Sequence, residues 1–150
     1  MKIWEHTFEE LTGGQSPYPN AGNPFVLQVF DPHTIVPFTE RPQFATAMVR
    51  AANSMADQVL LVRDGDGWRC IGHWTGDTIA LDASFIGQGL AKELFLRAVE
   101  HRKVPLTTKF TQAGYDLVRR AYSVAVQRAH TEGLNIPEMV LKQFPSLKSP

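Results

Sequence analysis

The spacing of apolar and polar positions changes period along this chain, and each change marks an element. Residues 58–63 (QVLLVR) form a short apolar run that predicts a strand. Asp64-Gly65-Asp66-Gly67 follows, a string of residues that tolerate positive φ in a tight turn, and residues 68–74 (WRCIGHW) predict the returning strand. A second turn, Thr75-Gly76-Asp77, leads into residues 78–82 (TIALD), so three consecutive strands form an antiparallel meander, expected at the centre of a sheet. From Gly89 the period lengthens to that of a helix. Leu90, Ala91, Leu94, Phe95, Ala98 and Val99 share one face, with Lys92, Glu93, Arg97 and Glu100 on the other.

The flanks are read in the same way. Trp4, Phe8 and Leu11 predict a short N-terminal element, followed by a Gly, Pro, Ser and Asn cluster over residues 13–24 that favours a surface loop. Residues 25–30 (FVLQVF) predict a strand ended by Asp31-Pro32. After Thr39, a residue able to cap exposed amides, Phe44, Met48, Val49 and Ala52 fall at helical spacing and predict a helix. Beyond a linker containing Pro105, Thr111 is placed to cap a long helix with the stripe Leu117, Ala121, Val124 and Ala125, ended by Gly133. Pro137 suits the first turn of a short terminal helix containing Met139, Val140 and Leu141. The order of elements predicts a single α+β domain over residues 1–150, with a mainly antiparallel sheet flanked by helices and a C-terminal helical segment.

Composition narrows the function classes. At 150 residues, with 43% apolar and 20% charged positions, the chain has the make-up of one globular domain with a sizeable core. Fifteen basic and fifteen acidic residues cancel, which removes the positive field that draws a polyanion, so nucleic acid is not an expected partner. The single cysteine, Cys70, has no internal disulfide partner and stands in a strand-like apolar run where a buried thiol is the common outcome. No run of about twenty apolar residues predicts a membrane span. The first thirty residues lack the apolar stretch of a signal peptide, so a cytoplasmic protein without a membrane partner is expected. A homodimer is compatible with this composition.

The feature with chemical promise is the turn Gly87-Gln88-Gly89-Leu90-Ala91 between the last meander strand and the helix. A helix start leaves several backbone N–H groups without intrahelical partners, all pointing one way, and the partial positive charge of the helix end adds to them. Glycines let a diphosphate approach without striking a β-carbon. The same glycines also serve an ordinary sharp turn into a helix. A full GxGxxG is missing and the preceding strands are antiparallel, so this is no Rossmann fingerprint, and without a following Gly-Lys-Ser or Gly-Lys-Thr it is no Walker loop.

The order of meander, glycine turn and amphipathic helix resembles the central half of the Gcn5-related N-acetyltransferase (GNAT) superfamily, and DASFIGQGLAKELFLRAV looks like its acetyl-CoA pyrophosphate motif. In that motif Gly89 and Ala91 take the last two positions, and Ile86 stands where Arg or Gln is usual. The resemblance spans about residues 58–101. It implies that backbone groups of Ile79, Ala80, Leu81 and Asp82 pair with the pantetheine arm of acetyl-CoA, or of another acyl-CoA. It implies also that amides of Gly87, Gln88, Gly89, Leu90 and Ala91 hold the pyrophosphate. The implied activity is acyl transfer to an unidentified amine acceptor, a small molecule or a protein. The family's further strand after the motif helix has only a short, poorly apolar candidate in residues 103–111. A non-catalytic CoA-binding or interaction module on the same scaffold is the alternative.

Acyl transfer needs a base for the ammonium proton and often an acid for the leaving thiolate. His73 on the strand before the motif strand and Asp82 at the end of the latter qualify by type, as do Tyr115 and Tyr122 for the acid. Each also has an ordinary reading: His73 as a strand residue, Asp82 as a cap, Tyr122 as buried area with a bonded tip. Scaffold relatives that take acyl groups from a carrier protein use a histidine and aspartate pair, for which His73 and Asp82 are the counterparts, and Arg119, Arg120 and Arg128 form a basic patch suited to such a carrier or to a solvated face. His6, His33, His101 and His130 are scattered without metal-ligand spacing, so no metal is expected. Ser84, Ser123 and Cys70 lack the surroundings of a hydrolytic nucleophile.

Overall fold

The computed structural model describes residues 1–17, 32–49, 56–75, 79–100, 106 and 110–147. The strand predicted over residues 25–30 and the turn at residues 76–77 lie outside them. Five strands, β1 (Pro32–Pro37), β2 (Phe44–Val49), β3 (Ala56–Asp64), β4 (Gly67–Thr75) and β5 (Ile79–Leu81), form one sheet in the order β1-β2-β3-β4-β5, with every neighbouring pair antiparallel. Among the described residues four helices accompany it: α1 (Phe8–Thr12), α2 (Leu90–Val99), α3 (Gln112–Thr131) and α4 (Glu138–Leu141). The mixed α+β architecture is as expected. No helix among the described residues is long and apolar enough to cross a membrane.

The meander β3-β4-β5 forms where the pattern placed it. Asp64 pairs with Gly67 across a two-residue turn in which Gly65 takes a φ of 59°. Its position in the sheet differs from expectation: β3 is central and β5 lies last in the strand order, because β1 and β2 add to the other side. The helix predicted after Thr39 is β2. Phe44, Thr46 and Met48 pair with Val62, Leu60 and Gln58 of β3 at period two, while Ala45 and Ala47 line the opposite face. Pairing with β3 decides this segment, and its two alanines, strong helix formers in isolation, pack as small residues against Val59 and Leu61.

A bulge shapes β4. Leu60 opposes Gly72 and Leu61 opposes Cys70, so Ile71 is the extra residue. This lets both Ile71 and Trp74 enter the core beneath the helices. Gly72 sits where β5 crosses closely: a β-carbon there would lie 3.0 Å from the Ala80 carbonyl oxygen and 3.0 Å from Leu81 Cδ1. No other residue fits that approach without moving β5.

α2 follows its predicted face, burying Leu90, Leu94, Phe95, Ala98 and Val99 against the sheet and α3. Glu93 in its first turn and Arg97 in its last complement the helix dipole. α3 begins as read, with Thr111 Oγ1 accepting from the Gly114 amide at 3.1 Å. It ends in a Schellman motif: the Leu134 amide bonds the Ala129 carbonyl and the Gly133 amide bonds that of His130, with Gly133 at φ 72°. Its buried stripe is rotated from the predicted one. Val118, Ala121, Tyr122, Ala125, Val126 and Ala129 face the core, whereas Leu117 and Val124 are half-buried, because α3 packs against both α2 and the N-terminal 3₁₀ turn Ile3–Glu5. Trp74 is the hub between layers, its ring edge-on to Phe95 at 5.4 Å and stacked on Phe110 at 6.5 Å.

Candidate functional site

The turn between β5 and α2 is built in three steps. Asp82 ends the strand, its amide donating to the Ile71 carbonyl, and its carboxylate accepts from the Ser84 amide at 2.9 Å. That bond starts the 3₁₀ turn Ala83–Phe85. Phe85 then anchors the turn edge-on to Phe44 at 6.1 Å, while Ile86, where the resembled motif has Arg or Gln, is 66% exposed. Gly87 and Gly89 follow with φ of 90° and 74°, conformations that a β-carbon penalises by roughly 1–2 kcal/mol.

Gly89 is the N-cap of α2 and has no side chain with which to bond the first-turn amides. The amides of Leu90, Ala91 and Lys92 have no intrahelical carbonyl in reach, by the geometry of any helix start. Among the described residues, no atom outside the chain neighbours lies within 4 Å of where a β-carbon on Gly87 would project, and at Gly89 the one such atom is Lys92 Nζ at 4.0 Å. These two glycines face open space among the described residues.

Cations flank this bend. Arg41 donates from Nη1 to the Gln88 carbonyl at 2.6 Å and lies 5.8 Å from the ring centres of both Phe38 and Phe44, which brace it. Arg69 lies 5.8 Å from the centre of the Phe85 ring. With Lys92, three cations come from β4, α2 and the β1–β2 connection. Arg41 and Arg69 escaped the sequence reading because nothing local to residues 82–91 points to them; only sheet pairing brings them here.

The proposed catalytic side chains are not gathered at this turn. His73 pairs in register with Val59 and Ala80, on the sheet face opposite the one Trp74 turns toward α2. It is buried, and loss of hydration pushes its pKa down, favouring the neutral imidazole. Because the unfolded histidine titrates near 6.5, His73 contributes no loss of stability above about pH 6.5 and an increasing loss as pH falls below it. A His73→Gln variant is expected to show a shallower decline of unfolding midpoint between about pH 6.5 and 5 than the parent, measured by urea denaturation.

Tyr122 is in the core on the side of α1. Its hydroxyl donates to the His6 carbonyl at 2.6 Å, lies 3.2 Å from Gln143 Oε1, and its ring packs on Phe8 and Phe144. Burial, then the carboxylates of Glu9 and Glu10, push its pKa upward. The neutral phenol is thus bound more tightly in the fold than in the unfolded chain, and that stability is complete below about pH 10 and lost above it. Tyr122→Phe is expected to cost about 1 kcal/mol at neutral pH, a difference that shrinks above about pH 10 in denaturant titrations.

The other candidates have structural tasks. Tyr115 accepts from Arg119 Nη2 at 3.0 Å and sits edge-on to Phe8, and the Arg119 guanidinium lies 4.3 Å from the Phe8 ring centre. Arg128 bonds Glu93 at 2.7 Å, tying α3 to α2. The predicted basic patch is therefore divided, with Arg120 exposed between two engaged neighbours. Cys70 is half-buried, its thiol raised in pKa by lost hydration and directed at the Gly72 carbonyl. Of residues 103–111, Leu106 and Phe110 are buried in the helix-side core, and the Leu106 amide bonds the Leu11 carbonyl.

Compared with known proteins, the chain matches no family model, no curated protein and no solved structure. The functional reading rests on its own residues.

Proposed function

We propose that the bend over residues 82–92 holds the pyrophosphate of an acyl-CoA, and that the chain is an acyl-CoA-dependent N-acyltransferase, most simply an acetyltransferase acting on an amine. The observation that carries this is the pairing of two left-handed glycines with an uncapped helix start flanked by Arg41, Arg69 and Lys92. Amides, helix dipole and these cations would then act together on one dianion, the arrangement that phosphate binding requires. Transfer would proceed by attack of the neutral amine on the thioester carbonyl, forming the C–N bond and breaking C–S, with the thiolate taking a proton.

A second reading, a CoA-binding module without transfer, draws on the side chains. The Asp82 carboxylate is bonded to the Ser84 amide, the Tyr122 hydroxyl is held in the core, and His73 belongs to the other face of the sheet.

Calorimetry with acetyl-CoA, CoA and GTP tests the shared claim. Saturable binding of both CoA species but not GTP is expected, with at least a tenfold loss in Gly89→Asp, which sets a carboxylate where the dianion would lie. Aspartate tolerates the left-handed conformation better than most residues, and Gly89→Asn separates charge from strain. Absence of saturable binding to the parent protein would sink both readings. If binding is found, thiol release with an amine panel separates transfer from binding alone.

A further inference from the structure

One side chain reaches the glycine bend from a distant part of the chain and takes hold of its backbone. Arg41 stands in the short connection between β1 and β2, 47 positions before Gln88, and its Nη1 donates to the Gln88 carbonyl at 2.6 Å. A cationic donor at that distance makes a strong bond.

The connection is built to present this guanidinium. The Phe38 amide bonds the Phe44 carbonyl and the Phe44 amide bonds the Arg41 carbonyl, each at 2.9 Å, so the backbone around Arg41 is closed into a turn. The guanidinium lies 5.8 Å from the ring centres of both Phe38 and Phe44, each only 6% exposed. A planar cation braced by aromatic rings loses little further freedom when it bonds. Phe85, just before the glycines, packs edge-on to the same Phe44 ring. The bend is thereby keyed to the start of β2 at two points.

Peptide geometry states what the bond controls. A trans peptide is planar with its C=O and N–H pointing in opposite directions, so a Gln88 carbonyl turned to Arg41 turns the Gly89 N–H away from it. Gly89 is left-handed, at φ 74° and ψ 9°, and Leu90 after it opens the right-handed helix α2. Successive residues of opposite hand bring their N–H groups round one concavity, the backbone nest that accepts anions. The Gly89 amide is the first of that nest. Local preference does not fix its direction, because glycine takes either hand of φ with similar ease, and Gly87 at φ 90° and Gly89 stand on both sides of Gln88.

We propose that Arg41 is a positioning residue for the anion site: it holds the Gln88–Gly89 peptide with its N–H on the nest side. When that hold is lost, the peptide turns over and sets the Gln88 carbonyl where an anion would lie. Arg41 thus acts through the backbone, not by touching the coenzyme. The effect on binding rests on the coenzyme reading above; the hold on the peptide does not.

The test is amide-resolved NMR of the full chain, first without ligand. Arg41→Met keeps a flexible apolar stem beside Phe38 and Phe44 and removes the donor. It is expected to shift the carbonyl carbon resonance of Gln88 and the amide of Gly89, and to broaden Gly87 and Gly89 by exchange, with residues 94–99 of α2 unchanged. Arg41→Lys keeps the charge without the planar fork and is expected to show the same displacement in part. Calorimetry with CoA then reads the consequence: about a fivefold loss of affinity in Arg41→Met, as for one lost hydrogen bond, and a smaller loss in Arg41→Lys that follows its Gly89 shift. Circular dichroism establishes that both variants fold. Unchanged Gln88 and Gly89 resonances in folded Arg41→Met would overturn the hold on the peptide. Full CoA affinity in Arg41→Lys, with its Gly89 amide displaced, would overturn positioning in favour of charge alone. If the parent binds no CoA the coenzyme reading fails, and the ligand-free spectra still decide whether Arg41 holds the peptide.

Discussion

Trp74→Ala is expected to lower the free energy of unfolding by about 3–5 kcal/mol, the range for emptying a large aromatic from a packed core. Trp74 is 1% exposed and joins the sheet to two helix-side aromatics, edge-on to Phe95 and stacked on Phe110. The indole nitrogen has no acceptor among the described residues, so the loss is one of packing, not of hydrogen bonding. Trp74→Phe keeps most of the ring area and removes that unbonded donor, and it is expected to cost less than half as much. Urea unfolding followed by far-UV circular dichroism measures both. Equal losses in the two variants would mean that the indole's shape, not its area, holds the layers together.

Arg97→Ala carries the second large effect, a loss of about 2–3 kcal/mol. The guanidinium ties the last turn of α2 to the edge of the sheet, donating to the carbonyls of Val36 and Pro37 and to the Thr46 hydroxyl, and it lies 4.6 Å from the Phe38 ring centre. Burial lowers its pKa while Glu93 and Glu100 oppose that shift, so the cation is held in place by neighbours on its own helix. Without it the Thr46 hydroxyl is buried with no donor and β1 loses its tether to α2. Arg97→Lys is expected to recover little, because a compact ammonium cannot span three acceptors that a planar fork reaches together. Hydrogen exchange provides the local readout: amides of β1 and β2 should exchange faster in Arg97→Ala, with those of α3 changing least.

These two residues show different degrees of legibility. Trp74 stands in a predicted strand, but its entry into the helix-side core together with Ile71, three positions before it, depends on the bulge in β4. Arg97 was placed on the polar face of its helix, correctly by period, yet it is a structural bolt because that face meets the edge of the sheet above Thr46 and Phe38. The same holds for Arg41. Its contact with Gln88 crosses 47 positions, and no local pattern encodes it.

Local chemistry by itself determined the meander, the amphipathic α2, the Thr111 cap and the Gly133 stop of α3, since each depends on neighbours within a few residues: turn residues that accept positive φ, side chains that bond the next amides, apolar positions at one period. The positive φ of Gly87 and Gly89 before α2 belongs to this class too. Only the tertiary structure decided that residues 44–49 extend as a strand, that β3 occupies the middle of the sheet, and that Arg41 and Arg69 lie at the bend. Those outcomes are set by pairing and packing between segments far apart in sequence, where the energy of burying a shared face exceeds the weak preference of any one segment for helix or strand.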